Sequence, residues 1–195
     1  MRTILDPRKA DAAAVRATVD LVASISPADL ARPTPCAGWD LRALLTHMTA
    51  QHREFAAAAI GPGAEAAVRC LEPQDPITGY APAAADVLAA FAPDDVLDRP
   101  FLLPEAGGQA LPGRMVIGFH LVDFVVHGWD VAAAMELPWD LPAEVLEAAL
   151  PIARAVPDGD ERLQPGAPFA PALPTSAEAT PMDEILTLLG RSPDW

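Results

Sequence analysis

The sequence is short of cysteine and of positive charge, and each shortage narrows what the chain can do. Its two cysteines, Cys36 and Cys70, have neither metal-site nor redox spacing and indicate no secreted disulfide framework. Lys and Arg total 13 against 27 Asp and Glu, a net charge of -14 with a pI near 4.4. Such a surface argues against nucleic acid or an anionic membrane as partner, and no basic stripe relieves it. The opening run M-R-T-I-L-D-P has no apolar core of the kind a signal peptide needs. The longest apolar stretch is interrupted by His120, Asp123 and His127, leaving pieces too short to span a bilayer. A soluble cytoplasmic protein is expected. At 195 residues, 51% apolar and rich in alanine, with a mean hydropathy of +0.20, the chain can build one helical domain with a substantial core.

What is present is organised around Phe119 to Asp130, F-H-L-V-D-F-V-V-H-G-W-D. The apolar pattern runs from about Met115 to Met135, far longer than a strand, and so predicts a helix. At helical spacing His120, Asp123 and His127 fall on one face. Two imidazoles and a carboxylate on an apolar stripe are costly to bury unless something satisfies them. A divalent metal would do so; a buried hydrogen-bonded pair is the alternative.

Around this segment the chain reads as helices. Asp6 and Pro7 start the first, with Val15, Val19, Leu21 and Val22 inward, and it ends at Ile25 to Pro27. After the loop R-P-T-P-C-A-G-W-D, Asp40 caps a long helix from Leu41 to about Ile60, stopped by Gly61, Pro62 and Gly63. Leu44, Leu45, Met48 and Phe55 look like its core. A short helix around Glu65 to Leu71 is a weak expectation. A third long helix is expected from near Pro82 to Phe91. Arg99 to Pro112 reads as a β-hairpin or extended lid. A helix from Ala143 to about Val156 is expected to kink at Pro151. Pro157 to Pro174 reads as an irregular tail, followed by a short helix that Thr180, Pro181 and Asp183 cap. The expected fold is all-α: an up-down four-helix bundle with a short hairpin or lid and a proline-rich tail ending in a short helix. Residues 1–156 form the bundle, and residues 157–195 pack on the same domain.

Several other residues are candidates. His47 lies within the apolar part of the second helix, with Gln51 and Glu54 on the same face as pocket-lining candidates. His52, five residues on, is expected at the surface. Cys36 precedes a helix N-terminus, where a thiol pKa can fall, but reads more simply as a small packing residue. Trp39 and Trp129 read as core anchors. Asp130, three residues after His127, is placed to support a ligand.

T-P-C-A-G-W-D-L-R-A-L-L-T-H, from Thr34 to His47, and H-x-x-D-F-V-V-H-G-W-D-V-A, from His120 to Ala132, resemble the DinB-like superfamily. The branch is the one related to the N-terminal domain of mycothiol-dependent maleylpyruvate isomerase. The ending L-L-G-R-S-P-D-W is similar to that of its small members. The resemblance implies a four-helix bundle holding a divalent metal, zinc first, with nickel or another ion as alternatives. Carried onto this chain, the ligands are His47, Asp123 and His127. The isomerase is similar but carries glutamate where this chain has Asp123. The shorter side chain implies a metal nearer the helix or one held through water.

The implied function is a metal-dependent S-transferase or isomerase that uses a low-molecular-weight thiol such as mycothiol with an electrophilic second substrate. His120 is expected to act catalytically, handling the proton, or to support Asp123. A non-catalytic metal- or small-molecule-binding module and a metal-dependent hydrolase are the other readings. A homodimer is compatible with such bundles.

Overall fold

The computed structural model describes residues 6–61, 75–102, 110–164 and 166–195. The expected short helix around Glu65 to Leu71 and the E-A-G-G tip of the hairpin lie outside these residues.

The first helix, α1 (Pro7–Val22), begins as the sequence suggests: the Asp6 carboxylate accepts the Arg8 amide at 3.0 Å and Pro7 occupies the first turn. The loop before α2 (Leu41–Ile60) folds back so that Pro33 bridges Asp40. Its turn is closed by Trp39 N–H donating to Cys36 O at 3.0 Å. Gly38 supplies the positive φ of +81° that this turn needs. Asp40 then caps Ala43 N at 2.9 Å.

The third helix, α3, spans Pro76–Phe91 and so starts two turns before the expected Pro82. Asp75 and Pro76 provide the start signal, the carboxylate accepting Ile77 N at 3.1 Å. Pro82 sits inside the helix on its exposed face. Strands β1 (Pro100–Leu102) and β2 (Ala110–Pro112) form the expected hairpin, antiparallel with Phe101 opposite Leu111. Phe101 is fully buried and anchors the hairpin against Phe91, 6.2 Å away between ring centres.

The central helix is α4 (Gly113–Met135). It packs on α1 and α2, which in turn pack on α3, completing a four-helix bundle. Helix α4 is apolar on nearly all sides, with Val116, Ile117, Leu121, Phe124, Val125 and Val131 fully buried. By length and composition it could cross a membrane, despite the interruptions at His120, Asp123 and His127. Its burial decides the matter: 78% of its apolar window lies inside the bundle, as in a core helix. It ends where Glu136 adopts a left-handed φ of 56° and Leu137 N–H reaches back to Ala132 O at 2.9 Å.

Helix α5 (Ala143–Ala153) ends two residues after Pro151, sooner than expected. The irregular tail is stitched down by buried Arg162, which donates to the carbonyls of Pro157 (2.7 Å), Ala170 (3.0 Å) and Leu188 (2.7 Å). The last helix, α6 (Pro181–Leu188), carries the Thr180–Asp183 capping box. It buries Ile185 and Leu186, with Leu189 just beyond, in a cluster shared with α1, α4 and α5. Trp195, expected to tuck in, remains 52% exposed.

Gly128 marks a close approach between α4 and the segment that follows it. A Cβ there would lie 2.2 Å from the Trp139 ring, whose Nε1 donates to Val125 O at 3.1 Å. Gly128→Ala is therefore expected to destabilise the fold by about 1–3 kcal/mol, measured by urea denaturation.

Candidate metal centre

Helices α2 and α4 meet in antiparallel fashion and stack two layers of polar side chains. His47 faces His127, with ring centroids 5.1 Å apart, and His52 faces His120 at 5.2 Å. As residue numbers rise on one helix they fall on the other. His120 and His127 thus share a face of α4 yet lie two turns apart along it, about 10 Å, and enter different environments.

The first layer holds His47, Asp123 and His127, each offering one ligand atom, all within 4.8 Å of one another. His127 Nε2 is 3.4 Å from Asp123 Oδ1. Two ligands on a tetrahedral ion with bonds of about 2.0–2.1 Å would stand about 3.3–3.4 Å apart. The second carboxylate oxygen, Asp123 Oδ2, is buried with no hydrogen-bond partner among the described residues. His47 is half-buried at the rim, and its ring lies 4.9 Å from that of Trp39. Trp39 is 37% exposed and so borders the opening; it is not the core anchor the sequence suggested.

Behind His127 lies a network that the sequence disclosed only in part. Its Nδ1 bonds Asp130 Oδ2 at 2.9 Å. The same carboxylate oxygen accepts the Cys36 thiol at 3.0 Å and Arg191 Nη2 at 3.2 Å. Asp130 is fully buried. Cys36, His127 and Asp130 are also close enough to form a ligand set. The Arg191 guanidinium, 3.2 Å from the sulfur and from the carboxylate, already occupies the place of a cation there. The Nε2 side of His127 is the better metal position.

Electrostatics follow from this arrangement. Burial alone would pull the His127 imidazole down. Asp123, Asp130 and Cys36 outweigh it and push the pKa up to about 10. The metal-free site therefore favours a protonated His127 at neutral pH, with Nδ1 facing Asp130 and Nε2 facing Asp123. Burial would raise Asp130, yet bonding to His127 and the charge of Arg191 hold it below the usual carboxylate value. Burial lowers His47, partly offset by Asp123.

The second layer is closed. His120 is fully buried, with Nδ1 2.6 Å from Asp11 Oδ1 and Nε2 3.1 Å from His52 Nδ1. His52, expected at the surface, is fully buried and stacks on Phe124 at 3.9 Å between ring centres. Phe55 and Phe91 enclose His120. Both His120 nitrogens are engaged, and it is not brought to the His47–Asp123–His127 cluster. Burial holds His52 well below the ordinary histidine value, in keeping with a neutral ring. Gln51 is buried and Glu54 is exposed.

Asp11 and Arg191 escaped the sequence reading for different reasons. Asp11 lies on the α1 stripe with Val15, Thr18 and Val22 and could have been found as a carboxylate on an inward face. Arg191, in a polar G-R-S-P run, carries no local signal.

The geometry defines a class: an all-α bundle with a two-histidine, one-carboxylate cluster set between two of its helices. The chain belongs to the family described as the mycothiol maleylpyruvate isomerase N-terminal domain, which matches residues 12–132. It is 31% identical over 191 residues to uncharacterised proteins from two strains of Mycobacterium tuberculosis, covering 96% of this chain and 99% of each of theirs. The fold is like that in the crystal structure of the mycothiol-dependent maleylpyruvate isomerase, with a TM-score of 0.65 at 15% identity. That likeness spans 96% of this chain and 89% of the isomerase chain.

Two outcomes test these environments. In metal-free protein the raised His127 pKa contributes stability that is fully present below pH 6.5. It is lost as pH rises through about 10. Urea midpoints measured from pH 6 to 10.5 should fall, and His127→Gln should flatten the slope. Asp11→Ala, which leaves His120 Nδ1 without its hydrogen-bond partner in a dry layer, should cost about 1–3 kcal/mol by the same assay.

Proposed function

We propose that this chain is a metal-dependent protein acting on a low-molecular-weight thiol of the mycothiol type, as an S-transferase or isomerase. The observation that carries the reading is the convergence of His47, Asp123 and His127, with one buried Asp123 oxygen left without a partner. The donor set of two imidazoles and one carboxylate suits zinc with an open position, or nickel or another divalent ion. When bound, such an ion supplies positive charge that favours the thiolate form of a thiol at neutral pH.

The chain's own residues prepare that chemistry. Asp130 accepts the Nδ1 proton of His127 and so turns Nε2 toward Asp123 and His47. Loading the site requires the second His127 proton to leave. The 3.4 Å between Asp123 Oδ1 and His127 Nε2 supports a ligand role for this short side chain. Trp39 offers an exposed ring face beside His47 on which a planar, conjugated electrophile can stack. Proton handling by His120 does not go with this reading, because its nitrogens bind Asp11 and His52; it serves as the dry floor beneath the site. A small-molecule thiol and an electrophile are the partners, and a cytoplasmic setting, where such thiols are kept reduced, goes with them.

The test is elemental analysis of protein grown with zinc or nickel, followed by thiol consumption against a panel of electrophiles. About one ion per chain is expected in the wild type and in Cys36→Ser, and loss of the ion in His127→Ala and Asp123→Ala. Equal metal in wild type and His127→Ala overturns the site. Bound metal with no thiol consumed by any electrophile overturns the catalytic part and leaves a binding module.

A further inference from the structure

We infer that Arg191, delivered by the C-terminal tail, is a positioning residue for the metal centre, acting through Asp130 on His127. The inference rests on the function proposed above. It concerns a residue outside the 12–132 segment that matches the family.

Arg191 is buried to 8% exposure beyond the end of α6. Its Nη1 donates to Leu189 O at 3.1 Å, which fixes the side chain against its own segment. Its Nε and Nη2 present a fork to Asp130, reaching Oδ1 at 3.4 Å and Oδ2 at 3.2 Å. Nη2 also reaches Cys36 Sγ at 3.2 Å. One guanidinium thereby ties together three regions: the tail, the loop before α2, and α4 one turn beyond His127.

The need for this cation comes from where the carboxylate lies. Asp130 is fully buried, and Arg191 is the guanidinium that grips it. An uncompensated buried carboxylate is strongly disfavoured. Arg191 therefore keeps Asp130 in place as the partner of His127 Nδ1. Arg191 also holds the carboxylate plane, and that plane sets the direction of the Nδ1 bond and hence of the Nε2 lone pair. A lysine could restore the charge but not the two-pronged hold.

The experiment measures zinc affinity by competition with a chelating dye, alongside the melting temperature of the metal-free protein, for wild type, Arg191→Met, Arg191→Lys, Asp130→Asn and the Arg191→Met/Asp130→Asn double variant. Arg191→Met is expected to weaken zinc binding about 10- to 100-fold, with Arg191→Lys between it and wild type. In the Asp130→Asn background, Arg191→Met should have little further effect, because the carboxylate it serves is gone. Should Arg191→Met fail to fold, Arg191→Lys against wild type and Asp130→Asn carries the comparison. A lowered melting temperature with unchanged zinc affinity in the Arg191 variants shows a structural residue only and overturns the inference. Zinc bound equally with and without Asp130 overturns it as well. If the wild type binds no zinc, it is the proposed metal function that fails, and the inference falls with it.

Discussion

The arrangement of this bundle depends on one imidazole held between two carboxylates. His127 has Asp123 against one nitrogen and Asp130 against the other, inside a helix that is otherwise apolar. A charged ring in such a place is sustained by those neighbours, and they in turn need it. Asp130 could not stay buried without His127 and Arg191, and Arg191 could not be there unless the tail folded back over α4. The loop before α2 is drawn into the same balance through Cys36. Three separate parts of the chain are therefore committed to a single charge arrangement, and the apolar packing around it keeps that arrangement dry.

The antiparallel meeting of α2 and α4 turns sequence spacing into function. The same wheel position on α4 serves two ends because the neighbour changes along the axis. Near His127 the facing residue is His47, beside the exposed Trp39, and the result is an open, polar rim. Near His120 the facing residue is His52, with Asp11 and a ring of phenylalanines, and the result is a sealed layer. Chemistry and architecture are separated by two helical turns on one surface.

The helical framework was legible because its signals are local: Asp6–Pro7, Asp40 and Thr180–Asp183 each announce a start that the structure shows. The start of α3 was misplaced because Pro82 looks like a first-turn proline, whereas Asp75 and Pro76 are the pair that sets it. The candidate ligands were legible in part: Asp123 and His127 by spacing, His47 by resemblance. His52 was misread because helical periodicity gives the direction of a side chain but not the width of the buried face. A cluster assembled from Asp11, His120 and His52 widens that face by supplying polar partners inside the core. Arg191 was illegible because its role depends on where the tail lands, and that is set by tertiary packing alone.

The sealed layer has a consequence for how this scaffold can be adapted. With Phe55, Phe91 and Phe124 closing around the His120 pair, anything bound near His127 meets a fixed bottom and can vary only toward the rim. Beside His47 that rim includes Trp39, in the short turn that precedes α2 and lies outside the four long helices. What the opening admits can therefore vary through that short turn, while the load of folding stays on helices that need not change.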